Sequence, residues 1–306
     1  MEVIRKKPTV IIICGKPQLA LKLKQFFPNK KIVWYVHSSE SQRAFTNYLP
    51  KINDHLDGVL FVSTFSKNLF EIEMVKKGIK TTTCYVVENG IDIDQFALKE
   101  KKENNENDEF TILFAGSLIQ RKGLDRIINI FPSFLHKCPN AKLLIAGGPI
   151  SNSNNYFMEI MEMITALNIN EKVSFLGHIP HNKMSTVYQN ADVLIFPSVD
   201  LEGLPLTILE AQSCGLPVIA SNTGAVKDVI NNGENGFIVN PPGSPEKILE
   251  SLMKLYENPE LRKKMSEVGR RRIVDQYSLS EMAKRFLQTI YEIEKKPIKN
   301  ALDKVL

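Results

Sequence analysis

Short apolar, β-branched runs alternate with runs of helical length along nearly the whole chain, and no other feature constrains its fold as strongly. In the N-terminal part, strand-like runs at 10–14, 32–36, 59–62 and 84–87 are separated by helical stretches at 19–26, 43–53 and 67–77. The pattern continues with strands at 111–115, 142–146, 172–176, 192–196, 217–220 and 236–239. Between them lie helices at 124–136 and 156–167 and short ones at 184–190 and after Pro205. Three more helices, 245–256, 259–276 and 280–294, close the sequence. Strands that alternate with helices in this way specify α/β domains built on parallel sheets. A length of 306 residues predicts two domains, each able to bury a core.

The seam between them is legible. Asn89-Gly90-Ile91-Asp92 is a turn signal. The run 99–109, KEKKENNENDE, has too little apolar surface to bury itself and reads as a linker or a surface loop. The expected organisation is a short N-terminal domain over 1–98, a linker over 99–109, a C-terminal domain over 110–278, and a last helix over 279–306 that crosses back to the first domain.

Composition narrows the function classes. Hydrophobic content of 43% and charged content of 24% are those of an ordinary soluble domain. No apolar run approaches the ~18 residues of a membrane span, and Val10 to Cys14 is too short for a secretory signal. Cys14, Cys84, Cys138 and Cys214 are widely spaced without C-x-x-C pairing, which predicts reduced thiols in a cytoplasmic protein. The net charge of +5 gathers partly in 5–7, 262–264 and 270–272, read either as solvated helix faces or as a surface attracted to anionic lipid at the inner face of the membrane. Nothing supports nucleic-acid binding: there is no finger spacing and no basic element interleaved with aromatics.

The most informative segment runs from Ser198 to Ser221, SVDLEGLPLTILEAQSCGLPVIAS. A strand, a loop holding Gly203 and Pro205, a short helix and a second strand follow one another. This local architecture presents free backbone N–H groups to a phosphate. Glu202 stands in the loop, and Glu210 lies about two helical turns on, where a carboxylate accepts from ribose hydroxyls. The competing reading is a solvated helix edge carrying two ordinary surface glutamates.

The spacing of Pro197, Ser198, Glu202, Gly203, Leu209, Glu210, Ala211, Gly215, Pro217, Val218, Ala220 and Ser221 resembles the E-x7-E signature of retaining GT-B glycosyltransferases, family 4. Further segments resemble the same family: Phe114 to Leu118 with Arg121-Lys122-Gly123, Leu144 to Pro149, Val173 to Gly177, Ala191 to Val193, and Gly236-Phe237. The resemblance implies two Rossmann-like parallel-sheet domains facing a cleft, and transfer of a sugar from a nucleoside-diphosphate sugar with retention. It implies that Glu202 contacts the donor sugar, Lys122 neutralises the leaving diphosphate, and His37 orients the sugar. Gly116, Ser117, Arg121, Gly177, His178, Ile179, Gly203, Leu206, Thr207 and Glu210 are the implied donor-binding set. Electrostatic preorganisation at the diphosphate gives the physical reason for Lys122 and for the N–H groups of Leu206 and Thr207. An ordinary surface cation at Lys122 and a polar loop histidine at His37 are the plainer alternatives. His136 and His181 read as surface residues.

The design needs no metal and no cofactor. Asp92-Ile93-Asp94 is formally D-x-D, yet it follows the Asn-Gly turn and reads as linker structure. Two departures from the family pattern stand out. Ser117 occupies the place where the family carries Arg, which removes one of two diphosphate cations or shifts its load to Arg121. The front of the chain matches the middle of a family N-domain, so that domain is expected to be truncated. The missing part is then absent from a fragment, supplied by a partner chain, or replaced by an open acceptor site. The expected function is therefore metal-independent glycosyl transfer to a glycan, lipid-linked or other cell-envelope acceptor. The alternative is a non-catalytic nucleotide-sugar-binding or stabilising subunit of a split pair.

Overall fold

A computed structural model describes residues 9–37, 48–79, 83–98, 109–150 and 154–299. The basic cluster at 5–7, the start of the helix expected at 43–53 and the linker run up to residue 108 lie outside these residues. The chain divides into two compact units, one of residues 1–90, 202–204 and 279–306, the other of residues 91–201 and 205–278.

The first unit is a four-stranded, all-parallel sheet in the order β1-β2-β3-β4: Val10–Cys14, Lys31–Val36, Gly58–Phe61 and Cys84–Val86. The two inner strands are buried along their whole length, as a strand covered on both faces must be. Helices α1 (Pro17–Phe26), α2 (Leu49–His55) and α3 (Thr64–Lys76) make the crossovers. Ser63 caps α3 by accepting from the Ser66 N–H at 3.1 Å. Trp34, Phe61, Phe70, Leu49 and Ile52 fill the core. Lys24 is fully buried and donates to Asp57 Oδ2 at 2.9 Å, so its charge is paired where it cannot be hydrated. The C-terminal helix Leu279–Lys295 belongs to this unit. Lys31 Nζ donates to the carbonyls of Ile293 and Glu294, at 2.5 and 2.6 Å, and of Lys296. It thereby satisfies acceptors that a helix C-terminus leaves open.

The second unit holds six parallel strands: β5 (Phe110–Ala115), β6 (Ala141–Ala146), β7 (Val173–Gly177), β8 (Val193–Phe196), β9 (Val218–Ser221) and β10 (Phe237–Val239). Their order is β10-β9-β8-β5-β6-β7. Counted from β5, this is the 3-2-1-4-5-6 order of a Rossmann sheet, which reverses direction between β5 and β8. The crossovers are α4 (Leu124–Leu135), α5 (Asn154–Ala166), α6 (Met184–Gln189), α7 (Leu206–Ser213) and the four-residue α8 (Val226–Val229), a helix that the sequence pattern does not announce. Helices α9 (Pro245–Glu257) and α10 (Pro259–Gln276) follow, capped by Ser244 and Asn258 with a proline at each first position.

The basic clusters near the C-terminus are only partly solvated, which was one of the two readings from sequence. Arg262 donates to the Tyr256 carbonyl at 2.9 Å and stacks over Phe110, 5.4 Å from its centroid. Arg272 donates to the Asp228 carbonyl at 2.9 Å. Lys263, Lys264 and Arg271 are the exposed members. Helical periodicity turns one residue in three or four inward, and a guanidinium there finds backbone carbonyls. No helix among the described residues is long and apolar enough to cross a membrane.

Candidate functional site

In a sheet of this order, ligands bind beyond the carboxyl ends of the strands at the point of reversal. A cavity of about 470 Å³ lies there, lined by residues of the second unit. The loop after β5 contributes Gly116 and Ser117, the loop after β6 contributes Gly147 to Ile150, and His178 and Ile179 follow β7. Met184 and Tyr188 come from α6, and Thr207 and Glu210 from α7.

Glycine makes these loops fit together. Gly147 has a φ of +139°, and a Cβ there would lie 1.9 Å from the Gly116 carbonyl oxygen. The two loops touch backbone to backbone, held by Gly116 N–H to Ala146 O at 2.9 Å and Leu118 N–H to Gly148 O at 3.0 Å. Gly123, at φ +72°, would meet the Pro197 carbonyl at 2.4 Å if it carried a Cβ. That contact packs the loop after β5 against the end of β8.

Helix α7 presents its N-terminus to this region without a side-chain cap. Its first N–H groups are the ones a helix leaves open, and the dipole favours an anion there. The far side of the helix is tied down. Gln212 and Asn235 bond each other in the interior, and Arg270 Nη1 donates to Ser213 O and Oγ, both at 2.7 Å, and to Phe96 O at 2.8 Å. Arg270 Nη2 reaches Ile93 O at 3.0 Å.

Glu210 is therefore a buried carboxylate, 7% exposed, on a fixed helix at the cavity wall. Tyr188 donates to its Oε2 at 2.7 Å, and His181 Nε2 stands 3.0 Å from its Oε1. Burial, with the Glu210 charge second, pushes the Tyr188 phenol well above its ordinary pKa. It stays a donor.

Of the residues expected from sequence, Gly116, Ser117, His178, Ile179, Thr207 and Glu210 come together on this cavity. Arg121 and Lys122 follow Ser117 in the chain, on the turn Gln120–Lys122, outside the cavity's lining. The Lys122 ammonium lies 5.1 Å from the Phe196 ring centroid, and the Arg121 carbonyl accepts from Val199 N–H at 2.9 Å. Gly177 closes β7 and its carbonyl accepts from Gly147 N–H at 2.8 Å, while Leu206, 42% exposed, opens α7. Glu202 and Gly203 belong to the first unit, as does His37 at the end of β2. The His37 ring lies 4.2 Å from that of Tyr35, and desolvation lowers its pKa below the usual 6.5.

Two residues escaped the sequence reading. His181 is exposed at the surface, as expected, but its ring bonds Glu210. Tyr188 was an unremarked aromatic on an apolar helix face. A buried phenol needs a hydrogen-bond partner, and that requirement is the signal by which it could have been found. The Asp92 carboxylate accepts from the Asp94 and Gln95 N–H groups at 3.1 and 3.0 Å, closing a local turn. Among the described residues no cluster of metal-ligating side chains occurs.

Two α/β units with parallel sheets, one of Rossmann order with its cavity at the switch point, define a GT-B architecture. Residues 95–272 match the model of the family "Glycosyl transferases group 1", and the chain belongs to that family. It is 25% identical over 299 residues to the putative glycosyltransferase YtcC of Bacillus subtilis (strain 168), covering 92% of this chain and 72% of that one. It is 28% identical over 240 residues to the capsular polysaccharide biosynthesis glycosyltransferase CapM of Staphylococcus aureus, covering 77% and 61%. The fold is similar to that of Anabaena HepE, solved in complex with UDP and glucose, with a TM-score of 0.79 at 18% identity, covering 95% of this chain and 80% of that one.

Proposed function

We propose that this chain transfers a glycosyl group from a nucleoside-diphosphate sugar, with retention and without a metal, to a glycan, lipid-linked or other cell-envelope acceptor. The observation that carries the reading is Glu210: a buried carboxylate at the wall of a cavity at the switch point, about one turn from an uncapped helix N-terminus. Ribose hydroxyls donate to that carboxylate. The diphosphate lies against the N–H groups of Leu206 and Thr207, with Lys122 and Arg121 as its cations. His178, Ile179 and the 147–150 loop receive the base. Glu202 meets the donor sugar and stabilises positive charge on its ring, His37 orients the sugar, and the departing diphosphate takes the acceptor's proton. HepE's UDP and glucose complex and CapM's capsular role support the donor class and the envelope acceptor by similarity.

Ser117 favours a second reading, because one diphosphate cation of the family pattern is missing there. The chain then binds the nucleotide sugar but turns it over only with a partner, or not at all.

Calorimetry with UDP, GDP, ADP and their sugars, on the chain and on Glu210→Ala, separates these outcomes. Micromolar binding of one nucleotide, weakened at least tenfold in the variant, is expected. Binding without release of free nucleoside diphosphate from the sugar donor in the presence of cell-envelope acceptors selects the second reading. No binding by a folded protein overturns both.

A further inference from the structure

We propose that Tyr188 and His181 form a clamp that positions Glu210 for a vicinal diol, the 2′- and 3′-hydroxyls of a nucleotide's ribose. The inference rests on the reading of Glu210 given above. A carboxylate offers about four lone-pair sites and no donor. Tyr188 O–H occupies one site on Oε2 at 2.7 Å, and His181 Nε2 occupies one on Oε1 at 3.0 Å. One site per oxygen is left, on a group that borders the cavity. Two neighbouring acceptor sites on one planar group match two neighbouring hydroxyl donors.

The two arms of the clamp differ. Tyr188 is the inner arm, 1% exposed, with the phenol fixed by the helix it sits on. His181 is the outer arm, with a side chain 68% exposed. Its ring is oriented from behind. The Gln95 amide lies 3.4 Å from Nδ1 and 3.3 Å from the His181 carbonyl, and Phe96 meets the imidazole edge-on at 5.2 Å. With Gln95 donating to Nδ1, the ring proton sits on Nε2 and points at Glu210. Without both arms the carboxylate rotates about its last torsion, which is broad and two-fold for Glu. Its acceptor sites are then no longer aimed at the cavity. Both residues are positioning residues: neither needs to touch the ligand.

The test uses the full chain and three probes, UDP, GDP and ADP, together with the 2′,3′-dideoxy form of whichever binds most tightly. Tyr188→Phe removes one hydroxyl and no volume. It is expected to weaken the ribose-containing diphosphate roughly tenfold, the loss of one hydrogen bond to a charged group, and to leave the dideoxy form unchanged. His181→Ala is expected to weaken it roughly threefold, smaller because the arm is solvated, with His181→Gln restoring part of the loss through its amide donor. In a kinetic assay the same variants raise KM for the donor with little change in kcat. Equal losses for both ligands, or an unchanged Kd in Tyr188→Phe of wild-type Tm, overturn the clamp. Glu210→Ala keeps the two failures apart. If it binds as the wild type does, the ribose reading falls and the clamp with it; if it loses binding while Tyr188→Phe and His181→Ala do not, only the clamp falls. Should Tyr188→Phe fail to fold, the exposed His181 variants carry the same comparison. Absence of binding to all three probes overturns both.

Discussion

Four cysteines differ in what surrounds them, and the difference sets which one reacts. Cys14 is exposed at the end of β1. Burial pushes Cys84 up to about 12, with the Glu71 charge adding to it. Burial also raises Cys214 to about 12, against the pull of Arg270, and raises Cys138. A thiolate is the nucleophile, so a thiol of that pKa is inert at pH 8. Brief alkylation of the native protein at pH 8, followed by peptide mass spectrometry, is expected to label Cys14, and all four only after denaturation. Rapid labelling of Cys214 would show that α7 opens. At this scale the sequence spoke clearly where spacing carries the chemistry. Gly116 and Ser117 in one segment, and Thr207 and Glu210 in another, were picked out by local spacing, and they come together on the cavity. The partners of Glu210 were not, because His181 and Tyr188 lie 29 and 22 residues away in sequence and meet it only through packing.

Strands were legible to within a few residues, since an apolar run has the same extent whether read from sequence or seen in a sheet, while the four-residue α8 was not. What sequence misjudged was the backing of α7. Arg270 reads as one of three exposed arginines, yet it donates to the carbonyls of Phe96, Ser213 and Ile93. Removing it leaves several acceptors short of a charged donor. Arg270→Ala is expected to cost about 2–3 kcal/mol and to weaken nucleotide binding, because α7 carries Glu210. Arg271→Ala, two atoms of backbone away and exposed, should stay within about 0.5 kcal/mol of wild type. Paired denaturant titrations read both. Equal midpoints for the two variants would mean that the guanidinium contributes nothing to holding the helix. Gly147 makes a second element-scale case. Gly147→Ala forces a left-handed backbone onto a residue with a Cβ and sets that atom against the Gly116 carbonyl. A loss of about 2 kcal/mol or more, with nucleotide affinity falling in parallel, is expected by calorimetry and thermal melting.

For the whole molecule, the last helix belongs to the unit formed by the first ninety residues. Ile293 is fully buried and stands against Gly58, where an added Cβ would lie 3.4 Å from its Cδ1. Lys31 spends its ammonium on that helix's final carbonyls, and Asp57 Oδ1 accepts from Lys299 N–H at 2.7 Å. Ending the chain at Ser278 removes about 2 kcal/mol of apolar burial at Ile293 and strands the charge of Lys31. Calorimetric melting should show the first unit's transition lowered by roughly 10 °C or lost, with the second unit's retained. A single unshifted transition would rule this out. The sequence by itself determined the α/β class, the parallel sheets and the glycine- and glutamate-bearing segment from Ser198 to Ser221. Each of these is written in local periodicity or short spacing, and local sterics and hydrophobic burial enforce it wherever the segment lies. Only the tertiary structure decided which strands neighbour one another, which carbonyls Lys31 and Arg270 hold, and which side chains hold Glu210. Those are contacts between residues far apart in the chain, and no local propensity records them.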